Sequence, residues 1–133
     1  MAGTTVSSLF SQFEESNGDY LMRCPKCEHK QVCSVLRCAP DNPNENEDRP
    51  YFKCRFCPDF LTFADDRGIN EDNPPCDCGN PCRLQISTGG DGKPWGQLHL
   101  VCRVGACGFY DLYEDGRMLT QKEVKKWIKD GRL

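Results

Sequence analysis

Eight of the eleven cysteines stand in close pairs: Cys24 with Cys27, Cys54 with Cys57, Cys76 with Cys78, and Cys102 with Cys107. Thiolates are soft donors, and four of them around one ion suit Zn(II), which has no redox role and accepts a tetrahedron without electronic preference. A tight turn sets two sulfurs on one metal, and a second pair about two dozen residues later closes the site. The spacing predicts one zinc on Cys24, Cys27, Cys54 and Cys57, and a second on Cys76, Cys78, Cys102 and Cys107, so two zinc ions per chain. Cys82 is an alternative to Cys78, and His29 would serve in place of Cys27 if that turn shifted. Cys33, Cys38 and Cys82 are otherwise read as buried or incidental surface thiols.

The same residues argue against catalysis. A catalytic zinc keeps an open coordination position, and four thiolates leave none. The only histidines are His29 and His99, and neither lies in a metalloprotease or deaminase pattern. The paired acids Asp65-Asp66 and Glu45/Glu47 lie in loop-like surroundings and read as solvated charge. The chain is therefore expected not to be an enzyme.

Composition fits a metal-stapled protein. The 133 residues are 38% hydrophobic, with a mean hydropathy of -0.66. Two halves of about sixty residues would be hard-pressed to fold on apolar burial alone. Disulfides are the rival explanation for the cysteines. The sequence shows no signal peptide and no apolar run of membrane-spanning length, which favours a reducing compartment, nuclear or cytoplasmic, and no membrane partner. The formal charge is -3. Each filled four-thiolate site contributes a further -2, giving about -7. That excludes binding to duplex nucleic acid by bulk charge, but not a local basic patch.

The elements that must position these sulfurs follow from pattern. Residues 1–20 form an N-terminal amphipathic segment, with Val6, Leu9, Phe10 and Phe13 at helical spacing and Asn17-Gly18 as its end. Residues 21–64 form a first module, with strands at Gln31 to Leu36, Tyr51 to Lys53 and Phe60 to Phe63. The polar, Pro- and Asn-rich stretch 65–75 is a linker. Residues 76–115 repeat the plan, with strands at Arg83 to Ser87, Leu98 to Val101 and Phe109 to Tyr113. Residues 116–133 form a basic amphipathic helix with six Lys/Arg against two Asp/Glu. Thr120 and Glu123 make its capping box, and Gly131 suits its end. The expected class is a small zinc-stabilised β fold, α+β overall: two zinc-bound β-meanders and a C-terminal helix.

The second half resembles a GRF-type zinc finger, and the first half a diverged copy of it. Cys76, Cys78 and Gly79 match the opening of the family pattern, Cys102 and Cys107 its third and fourth ligands, and Gly108-Phe109-Tyr110 its aromatic strand. The family's Gly, Arg and aromatic fall at Gly96, Gln97 and His99. In the first half Cys24, Cys27, Cys54 and Cys57 take the ligand positions, Asp48 stands where the Gly falls, Arg49 matches the Arg and Tyr51 the aromatic. The resemblance implies small twisted β-sheets, each around one zinc, and binding of single-stranded DNA.

Two partners are consistent with the residues. Single-stranded DNA or RNA needs aromatic faces for bases and cations for phosphates. Arg49, Tyr51, Phe52, Lys53, Arg55 and Phe56 interleave in that way, and Arg83, Lys93, Trp95, His99 and Arg103 offer a second strip. Strand alternation sets Tyr51 and Lys53 on one side and Phe52 on the other. The alternative is a protein partner or a homo-oligomer, with zinc purely structural and Phe10, Phe13, Trp127 and Ile128 as docking residues.

Overall fold

The computed structural model describes residues 6–57, 59–89 and 92–133. The chain is an α+β fold of short antiparallel meanders with one C-terminal helix. It divides into two compact units, one of residues 1–66 with 104–107 and one of residues 67–103 with 108–133.

The first unit opens with a 3-10 stretch, Ser8–Phe13, in which the Ser7 hydroxyl accepts from the Leu9 amide. The expected helix is no longer than this. Asn17-Gly18 does not end a helix; it turns a hairpin between β1 (Glu14–Ser16) and β2 (Asp19–Arg23), with Gly18 at φ 88°. Gln31 to Leu36 is likewise not one strand. It breaks at Val35 into β3 (Lys30–Ser34) and β4 (Leu36–Arg37), which join different sheets. Sheet one is β1-β2-β3; sheet two is β4-β5-β6, with β5 at Pro50–Lys53 and β6 at Phe60–Phe63.

Burial follows the two-residue period of the strands. Tyr20 and Met22 of β2, Cys33 of β3 and Phe52 of β5 turn inward, joined by Phe10 and Ala64. Phe10 and Phe52 are completely buried and their rings lie 5.5 Å apart, while Tyr20 meets Phe52 edge-on at 5.3 Å. Phe10, expected at a docking surface, is thus a core residue. With so few apolar side chains, an aromatic from outside the strands is needed to fill the space above Phe52.

The second unit is one meander: β7 (Arg83–Ile86), β8 (Leu98–Val101) and β9 (Tyr110–Leu112) in sequence order. Helix α1 (Gln121–Lys129) follows, closed by the full capping box of Thr120 and Glu123. Val124 and Trp127 are buried on its inner side, so Trp127 is also packing rather than docking surface. All eleven thiols are free of disulfides. No helix among the described residues is long and apolar enough to cross a membrane.

Candidate metal centres

Three of the four cysteine turns are closed by the backbone of their own first ligand. The amide of Cys24 donates to the His29 carbonyl at 3.2 Å and that of Cys54 to Asp59 at 2.8 Å, the same five-residue span. The shorter Cys76 turn closes on Asn80 at 3.0 Å. In two of these turns a left-handed residue comes straight after the second ligand: Gly79 at φ 82° after Cys78, and Glu28 at φ 61° after Cys27. Glycine takes that conformation freely, whereas glutamate is strained by roughly 1–2 kcal/mol.

These turns bring the sulfurs of Cys24, Cys27, Cys54 and Cys57 within 4.8 Å of one another, and those of Cys76, Cys78, Cys102 and Cys107 likewise. Zn–S bonds of about 2.3 Å at tetrahedral angles separate sulfurs by roughly 3.8 Å. Cys24 and Cys57 stand 3.6 Å apart, and Cys27 and Cys54 3.5 Å. The donor set is therefore that of two zinc ions per chain. Cys33, Cys38 and Cys82 lie in neither group, and His29 instead stacks on Phe56 with ring centres 4.3 Å apart.

Hydrogen bonds to sulfur prepare the first centre for a metal. Cys54 is buried, which opposes ionisation, yet it accepts from the amides of Cys57 and Phe56, each at 3.4 Å, and from Gln31 Nε2 at 3.2 Å. These donors bring its pKa down to about 6. Cys57 goes the other way, to about 12, pushed up by its contact with Cys54, by burial and by Cys24. Crowded sulfurs resist ionising together, and zinc displaces the protons that remain. Gln31 also accepts from the Arg55 amide at 2.6 Å, so one side chain holds the second turn in two places. Sequence reading overlooked Gln31; a polar residue on the inward face of a strand was the available signal. In the second centre the Cys78 amide donates to Cys76 Sγ at 3.3 Å, and Cys78 is the one exposed thiol of the eight.

The remaining site residues divide by burial. Arg49 is enclosed. Its Nε and Nη2 hold both oxygens of buried Asp65 at 2.6 and 3.1 Å, its Nη1 reaches Asn46 Oδ1 at 3.1 Å, and its guanidinium carbon lies 3.5 Å from the Phe63 ring centre. Arg83 is fully buried and donates to the carbonyls of Arg67 and Arg103. His99 is buried as well; burial lowers its pKa, a backbone hydrogen bond at Gln97 opposes this, and Lys93 adds to the lowering. Lys53 and Arg55 are exposed, while Tyr51, Lys93, Trp95 and Arg103 are half-buried.

The two sheets carry the same aromatic arrangement. Tyr51 of β5 pairs with Phe63 and stacks diagonally on Phe60 at 5.9 Å. His99 of β8 pairs with Leu112 and stacks diagonally on Tyr110 at 5.1 Å, with Lys93 Nζ 3.9 Å above the tyrosine ring. The turns before both strands are equivalent too: Asp48 and Gly96 are each left-handed, at φ 55° and 86°. Position 96 admits only glycine, since a Cβ would run into the Leu119 carbonyl.

Residues 22–67 match the family described as the GRF-like zinc ribbon domain. No curated protein and no solved structure matches the chain. The first half thus holds a GRF-like zinc-ribbon module, and the second four-cysteine cluster, with its matching turns and sheet, points to a duplicated one.

Proposed function

We propose that this chain is a two-zinc module that binds single-stranded nucleic acid through the open face of sheet two. The observation that carries this reading is the aromatic ladder on that face. Phe60 is 47% exposed, stacked on Tyr51 and edge-on to Phe63 at 4.8 Å, with Lys53 opposite it in register. Every base has a flat face, so an exposed aromatic beside a cation grips a strand without reading sequence. Core packing would have turned these rings inward, as it does Phe52. The His99–Tyr110 stack under Lys93 supports a second contact of the same kind. Arg49 supports the ladder from beneath by fixing Phe63 rather than by touching the ligand.

The test is a titration of the zinc-loaded chain with oligo(dT), oligo(U) and duplex. Phe60→Ala should weaken single-strand binding by about 1–3 kcal/mol, the worth of one stacked base. Failure of the unaltered chain to bind either single strand, with both zincs present, would sink the proposal.

A protein partner is the second reading, favoured by a separate observation. Leu21 and Val32, paired across β2 and β3, are 36% and 39% exposed on the outer face of sheet one. A cavity of about 180 Å³ lies beside Leu21, lined also by Phe13, Met22 and Val104 among others. Self-association measured across concentration tests this face, and Leu21→Ser should abolish any added mass while leaving oligo(dT) binding intact.

A further inference from the structure

The outward side of α1 has no part in the fold. Lys122, Lys125 and Lys129 are all exposed and stand at i, i+3 and i+7, a single row. At 1.5 Å per residue the row is about 10 Å long. Arg132 follows the left-handed Gly131 and stands apart from this row, its guanidinium resting 3.3 Å from the Trp127 ring centre.

The neighbouring acids are engaged elsewhere. The Glu123 carboxylate accepts the Thr120 amide in the capping box at 2.9 Å, and Asp130 pairs with Lys126 at 3.0 Å. Among the described residues Lys122, Lys125 and Lys129 form no ion pair and no hydrogen bond. Like charges at this spacing weaken a helix, and Lys122 also sits at the end where the helix dipole disfavours a cation. The row is thus a local burden on the helix within a chain of net charge -3. A bilayer does not explain it, because Val124, Trp127 and Leu133, the apolar residues such a helix would insert, are buried.

We propose that this lysine row is a phosphate-binding strip for single-stranded nucleic acid, distinct from the aromatic ladder. A linear row of compact cations matches a linear polyanion, and each phosphate neutralised releases counterions. The strip supplies affinity and salt sensitivity; the ladder supplies stacking. The inference rests on the single-strand reading above.

The test uses the full zinc-loaded chain and oligo(dT) at salt concentrations from about 0.05 to 0.3 M. Glutamine keeps helix propensity, so Lys122→Gln/Lys125→Gln/Lys129→Gln should retain the fold, checked by circular dichroism. The slope of log affinity against log salt should become shallower by about 2, because each single-strand phosphate contact contributes about 0.7. Affinity near 0.15 M should fall on the order of tenfold or more. The triple Lys→Arg variant should restore both. Phe60→Ala should lower affinity and leave the slope unchanged. A slope and affinity for oligo(dT) unmoved by the triple Gln change overturn the strip, and the same result with lost binding to polyglutamate assigns the row to an acidic protein instead. No oligo(dT) binding by the unaltered chain overturns the single-strand reading itself, and the strip with it.

Discussion

Removing Arg49 should harm the first module more than removing any exposed cation. Its partner Asp65 is 1% exposed, so Arg49→Ala leaves a buried carboxylate without its cation. Breaking such a pair typically destabilises by about 3–5 kcal/mol. Denaturant unfolding should show that loss, and Arg49→Lys should recover only part of it, because lysine cannot hold both oxygens of Asp65. Gln97→Ala, at the matching position of the second half, should be far milder; equal losses at the two positions would refute the structural role of Arg49. The sequence made Arg49 a ligand contact because the residue that claims it lies sixteen positions away, in a stretch with the composition of a linker. Arg83 was obscured in the same way: its acceptors are backbone carbonyls, which no side-chain pattern reveals.

At the scale of elements, the turns are where the zinc sites gain or lose order. Gly79 has open space where a Cβ would stand, so Gly79→Ala should suffer only the left-handed backbone strain, about 1 kcal/mol. Gly96→Ala meets a backbone carbonyl as well and should lose considerably more, which thermal melts of the two variants would separate. For α1, Thr120→Ala removes the hydroxyl that accepts the Glu123 amide and should cost about 1 kcal/mol. The strands from β5 onward were legible because apolar alternation and the cysteine pairs mark them. The hairpin β1–β2 was not: Glu14–Ser16 is wholly exposed and polar, and its pairing is decided by Gly18 and by β3 rather than by its own residues. The break at Val35 was hidden for a related reason, since one run of strand-forming residues serves two sheets.

Across the whole molecule, the two zinc centres should differ in lability. Cys78 is exposed, whereas every sulfur of the first centre is buried or half-buried. A chelator should draw zinc off in two phases, the faster from the second centre, with colorimetric release totalling two zincs per chain. Cys78→Ser should remove the faster phase, and a single phase in the unaltered chain would contradict the assignment. Thiolate ligands must be deprotonated, so the released state binds more protons than the zinc-bound one. Stability therefore rises with pH and falls on acidification, and zinc loss should track unfolding in an acid titration. The two four-cysteine groups were readable from spacing because metal geometry is local chemistry, although spacing left Cys82 open beside Cys78 and His29 beside Cys27. The core was less so, because whether Phe10 covers Phe52 or faces a partner depends on space that only the folded sheets define.

The packing of Trp127 has an optical consequence. Its residue is 5% exposed, and two guanidiniums lie near its ring, Arg132 at 3.3 Å and Arg117 at 5.1 Å from the ring centre. An indole so shielded from water should emit toward shorter wavelengths and resist collisional quenching by iodide, with Trp95→Phe leaving it as the sole emitter. Any ligand that draws Arg132 away would change that emission, so the indole would report on contacts made at the C-terminal end of α1.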